Sequence, residues 1–157
     1  MKRLWTMMLI GFALLGLSAA TAAAATPEKP APKPFTGTFE GIIYGSNNSS
    51  TAIILELEQE KNHVIGTAFI DEGLYINAGN CGGAYVPATT ETAVGNVSTK
   101  NPNLLSAETN LNVSGINVTI DFIGELDEDV LDLEAKIDLP WLCGKDPLLH
   151  GTVEKLS

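Results

Sequence analysis

From Phe35 onward, apolar side chains recur at every second position, a period that admits strands and argues against amphipathic helices. Thr51 to Gln59 sets Ile53, Leu55 and Leu57 on one face and Glu56 and Glu58 on the other. After the polar turn Glu60-Lys61-Asn62, His63 to Ile70 resumes with Val64, Gly66, Ala68 and Ile70 in phase. Asp71-Glu72-Gly73 then breaks the run as a hairpin loop does. Asn117 to Gly124 alternates Val118, Ile120 and Phe122 with Asn117, Thr119 and Asp121. Glu125 to Asp129 reads as the next turn, and Val130 to Asp138 alternates Leu131, Leu133, Ala135 and Ile137 with Asp132, Glu134, Lys136 and Asp138. Further strands are predicted at Phe35 to Gly41 and at Leu149 to Leu156.

Two stretches are less regular. Leu104 to Ser114 supports a strand with Leu105, Ala107, Leu111 and Val113 inward, although Thr109 shares that face. Gly79 to Lys100 is rich in Gly, Thr and Asn and reads as loops around a short strand near Tyr85. Seven to nine short strands at this spacing predict an all-β fold, an antiparallel up-and-down barrel of about eight strands, with a two-sheet sandwich as the alternative. One face of each strand is apolar and the other polar, as when a sheet has core on one side and water on the other. A membrane barrel needs the opposite polarity, so the outward Glu, Asp and Lys positions argue against one.

The domain is preceded by two segments of other kinds. Residues 1–25 have the three parts of a cleaved signal peptide: Lys2 and Arg3, an apolar run from Leu4 to Leu17, and small residues from Ala19 to Ala25. The run is too short for a permanent span. No cysteine follows it to accept a lipid anchor. Residues 26–34 carry proline at positions 27, 30, 32 and 34, which favours an extended spacer. Residues 35–157 form a single β domain, and the expected location is periplasmic or extracellular. Loss of Lys2 and Arg3 leaves seven basic against nineteen acidic residues, a net charge of −12. That balance disfavours nucleic acid and anionic lipid. It serves solubility, with capture of cations or basic partners as the sharper reading.

Cys81 and Cys143 are the two cysteines, and an exported chain places them in an oxidising compartment. Neither belongs to a Cys-x-x-Cys pair, so a structural disulfide is predicted over redox catalysis or a zinc site. It would close a loop of about sixty residues and stabilise the fold by roughly 4 kcal/mol. Trp141, two residues before Cys143, is placed either against that disulfide or at the mouth of a ligand cavity. The glycines of Gly79-Asn80-Cys81-Gly82-Gly83 let the backbone turn sharply beside Cys81; they open no helix and make no phosphate cradle.

No catalytic, cofactor or metal motif stands out. His63 and His150 are the two histidines, and no serine lies in a nucleophile-elbow context, so both read as surface or edge residues. The acidic run Glu125-Leu126-Asp127-Glu128-Asp129 offers oxygens to calcium but lacks the Asp-x-Asp-x-Asp-Gly loop, so it reads as a solvated turn. Nineteen acids offer many carboxylate pairs and single out none for glycoside hydrolysis. Sequons at Asn47, Asn48, Asn96, Asn112 and Asn117 matter only in a host that glycosylates secreted proteins.

At the first strand, Gly37-Thr38-Phe39 resembles the Gly-x-Trp opening of lipocalin-like and related calycin barrels, with phenylalanine in place of tryptophan. The resemblance covers one strand. It implies a barrel whose base that aromatic helps to close, and it implies nothing about ligand identity. The expected role is non-enzymatic: binding of a small apolar ligand in a barrel mouth, or of a protein surface through loops and edges, as an adhesion or inhibitor-type module. The alternative from another class is a small hydrolase without a recognisable motif.

Overall fold

A computed structural model describes residues 32–113 and 116–157. The signal peptide of residues 1–25 and residues 26–31 of the spacer lie outside the described residues. Among the described residues ten strands follow in chain order: β1 Gly37–Tyr44, β2 Ser50–Glu60, β3 His63–Ile70, β4 Tyr75–Asn77, β5 Gly83–Tyr85, β6 Thr89–Val97, β7 Leu104–Val113, β8 Ile116–Asp127, β9 Val130–Asp138 and β10 Leu148–Lys155. Eight of them close a barrel in the order β1-β10-β9-β8-β7-β6-β3-β2, every neighbouring pair antiparallel. The barrel, not the sandwich, is the fold. β4 and β5 form a separate two-stranded hairpin inserted between β3 and β6.

Period-two patterning fixes which face turns inward. Ile53 and Leu55 of β2, Val64, Ala68 and Ile70 of β3, and Leu131, Leu133, Ala135 and Ile137 of β9 are all buried. Their neighbours in sequence, among them Glu56, Glu58, Asp132 and Glu134, face water. Thr109 of β7, the polar residue predicted on the inward face, is buried, and its hydroxyl donates to the Thr92 carbonyl at 2.8 Å. Closing eight strands into a barrel demands local bends. Close strand approach also needs a missing side chain at Gly41, where a Cβ would collide with the Thr152 carbonyl of β10.

Two sequence expectations need correction. Residues 89–97, read as part of a loop region, form the full barrel strand β6. Its inward positions are Thr89, Glu91, Ala93, Gly95 and Val97, so alternation exists but carries almost no hydropathy contrast. The acidic turn is narrower than 125–129. Glu125 and Asp127 belong to β8 with Leu126 buried between them, and Glu128-Asp129 alone make the turn.

One end of the barrel is sealed. Phe35 and Phe39 are fully buried, and the Lys155 ammonium of β10 lies 5.6 Å from the centre of the Phe39 ring. That ammonium also donates to the Pro34 carbonyl at 3.0 Å, which ties the chain entry across the base. Buried Gln59 accepts from the Phe35 amide at 3.2 Å and donates to the Lys61 carbonyl at 2.8 Å. The phenylalanine in the Gly-x-Phe opening thus does close the base.

Candidate functional site

The opposite end is the mouth, where β1, β3, β7 and β9 end and β2, β6, β8 and β10 begin. The β4–β5 hairpin lies over it as a lid. A three-residue strand pair has no independent stability in water, so the lid must be anchored. It is anchored by burial of Leu74, Ile76 and Val86 in the barrel core, and an edge-on contact between Tyr75 and Tyr85, ring centres 5.1 Å apart, holds its two strands together.

Its two sides are tied down differently. Towards the β1–β2 loop, the Ser49 hydroxyl donates to the Tyr75 carbonyl and accepts from the Tyr75 amide, and the Asn77 amide donates to the Ser46 hydroxyl. Towards the β9–β10 loop, the Cys81–Cys143 disulfide joins lid to rim across 62 residues of sequence. Among the described residues no hydrogen bond spans that second side. Gly79 makes the approach possible. Its φ is +58° and a Cβ would collide with the Cys143 carbonyl, so only glycine passes there without strain.

Between lid and rim lies a cavity of about 420 Å³. Ile76, Ala78 and Ala84 line it from the lid. Val118 of β8 and Ile137 of β9 line it from the barrel, and Leu139, Pro140 and Leu142 from the β9–β10 loop. Both half-cystines complete the wall. No lining side chain is ionisable, and the volume falls within the roughly 300–1,000 Å³ of small-molecule sites. Pairing of Cys81 with Cys143 is as the sequence predicts. The Trp141 ring, placed by sequence against the disulfide or at the cavity mouth, is 86% exposed. The turn Trp141–Cys143 directs Leu142 and Cys143 to the cavity instead.

The loop that carries Leu142 has its own clasp. The Lys136 ammonium lies 2.9 Å from a carboxylate oxygen of Asp146, whose other oxygen accepts from the Leu139 amide at 3.1 Å. The hydrogen bond from Lys136, and then that from Leu139, hold the Asp146 carboxyl below its ordinary value. The same hydrogen bond, with the carboxylate's charge, raises the Lys136 ammonium.

The other candidates are scattered. His63 begins β3 at the sealed end, whereas His150 lies on β10 near the mouth and faces Glu134 at 4.0 Å, both side chains exposed. Among the described residues no group of three or more His, Cys, Asp or Glu is arranged to hold a metal ion. Among them, too, no helix is long and apolar enough to cross a membrane.

No protein-family model matches the chain, and no curated protein does. Solved structures do. It is similar to EF1p2_mFAP2b bound to DFHBI, with 10% identity over 78% of this chain and 94% of that one and a TM-score of 0.52. The redesigned beta barrel b11L5F_LGL matches at 12% identity over 78% and 92%, TM-score 0.52. The redesigned beta barrel mFAP1, also bound to DFHBI, matches at 12% identity over 77% and 94%, TM-score 0.51. At such identities the likeness is one of fold, a closed eight-stranded antiparallel barrel.

Proposed function

We propose that this chain is an exported binding protein, without enzymatic activity, that holds a small apolar molecule at the mouth of its barrel. The apolar cavity of about 420 Å³ under the stapled lid carries the reading. Burial of a ligand against these walls removes apolar surface from water, at about 25 cal/mol per Å² before the costs of association. Two of the similar barrels are bound to DFHBI, which supports a barrel of this size as a ligand scaffold. Titration with a neutral environment-sensitive dye, N-phenyl-1-naphthylamine, tests it. Saturable fluorescence enhancement is expected, and Ala84→Phe, which fills the cavity from the lid, abolishes it. Equal enhancement by both proteins would refute the site.

One observation favours a second reading, engagement of a protein surface. On the outer face Ile65 of β3 lies opposite Val94 of β6, and Phe69 lies opposite Ile54 of β2. Ile65 and Val94 are each more than half exposed. If this face docks a protein, Ile65→Glu should abolish the complex and leave dye binding intact.

A further inference from the structure

We infer that the molecule held in the mouth carries no negative charge: the site takes neutral apolar compounds and rejects anionic amphiphiles such as fatty carboxylates. The inference rests on the binding reading above and adds the chemical class of its ligand. The first ground is the wall itself. A carboxylate drawn inside meets aliphatic side chains and a disulfide, with no cation or side-chain donor among the lining residues to replace its water. An unpaired buried charge is among the costliest things a protein can accommodate.

The second ground is the rim, where an amphiphile's head would sit if only its tail entered. Asp71 and Glu72 follow β3 at this end, Glu91 faces inward two residues into β6, Asp138 ends β9, and Asp146 precedes β10. The lysines of the same end are Lys136 and Lys145. Lys136 is already engaged by Asp146. Beside the cavity that leaves exposed Lys145 on the loop that follows Asp138, while Asp71, Glu72 and Glu91 stand on the β3–β6 side of the same end, so the end as a whole presents an anionic head with a field of its own sign. Desolvation inside and repulsion outside act in the same direction.

The test compares three ligands with one tail, 1-dodecanol, methyl dodecanoate and dodecanoate, below their aggregation limits at neutral pH. Each competes with N-phenyl-1-naphthylamine on the full chain, and each is titrated directly by calorimetry on the full chain and on its Ala84→Phe variant, whose fold is checked by circular dichroism. The alcohol and the ester should displace the dye, and dodecanoate should need a concentration roughly tenfold higher or more. If dodecanoate competes as well as the alcohol, and Ala84→Phe removes its direct binding, the inference falls while the binding reading stands. If no ligand distinguishes the two proteins, the binding reading falls and takes the inference with it.

Discussion

Removing the disulfide by Cys81→Ala together with Cys143→Ala separates what the covalent staple contributes from what the barrel contributes. Alanine is the right replacement because Cys143 is 4% exposed and a serine hydroxyl there would need a partner. With 62 residues between the cysteines, the chain-entropy treatment assigns about 4 kcal/mol to restraint of the unfolded chain. For a described domain of this size that corresponds to a fall in Tm of about 15 °C. The loss should be uneven across the fold. The lid has hydrogen bonds on its Ser46–Ser49 side and the disulfide alone on the other, so it should open before the barrel does. Thermal unfolding by circular dichroism measures the total. Amide exchange measures the partition: the Val86 amide, bonded to the Leu74 carbonyl, should lose protection, while amides of the β9–β10 ladder retain it up to the reduced global stability. A fall in Tm below about 4 °C, or equal loss of protection at Val86 and in β9–β10, would refute the view of a loosely hinged lid on an independent barrel.

Two smaller perturbations probe the charge pattern. Glu40 and Glu154 sit directly opposite across β1 and β10, both exposed, and like charges in that arrangement repel. Glu154→Lys should therefore raise stability by about 0.2–1 kcal/mol in urea titrations at low salt, with the gain shrinking in molar salt. The Lys136–Asp146 clasp gives a pH window. Asp146 is depressed below 3.8, so its contribution is present above that value and is lost as pH falls through the lower folded value. Lys136 is raised above 10.5, so its contribution is present below that value and is lost as pH rises through the higher folded one. Amide exchange in the 139–147 loop, corrected for intrinsic rates, should be flat between those limits in the wild type. Acid loosening should be absent from Asp146→Asn.

Legibility followed hydropathy contrast. The inward side chains of β3 and β9 are aliphatic or small, as are those of β2 apart from buried Gln59, and the outward ones of β9 from Asp132 to Asp138 are charged, so the alternation is plain in the sequence and the predicted strand positions match the observed ones within a few residues. β6 has the same alternation in space without the contrast. Thr89 and Glu91 point inward near the mouth, where the barrel is not sealed, and Val94 points outward among threonines. Position along the barrel axis decides how apolar an inward residue must be, and the sequence carries no mark of that position. The sealed base shows the converse, since the Gly-x-Phe opening pointed to it but its partner Lys155 lies 116 positions away and looks like any surface lysine.

The cavity was illegible for a different reason. Catalytic and metal sites betray themselves because their chemistry needs scarce residue types in fixed combinations, whereas an apolar site is built from the commonest ones. Ala84, Val118, Ile137 and Leu142 come from the lid, two barrel strands and a loop, and each of these residues alone is indistinguishable from core or surface. The disulfide was the one usable signal, because two cysteines outside any Cys-x-x-Cys pair, in a chain expected to be exported, predict a bond that brings residues 81 and 143 together. Trp141 misled for an instructive reason. A large ring beside a cysteine is a sensible packing partner when the loop folds inward. Here Pro140 precedes a tight turn, Trp141–Cys143, that commits the next two side chains to the cavity and leaves the ring to water. The strongest constraint on this site is therefore covalent and topological. Changes at Ala84 or Leu142, which leave Cys81, Cys143, Gly79 and the buried Leu74, Ile76 and Val86 untouched, should keep the lid in place and alter the ligand.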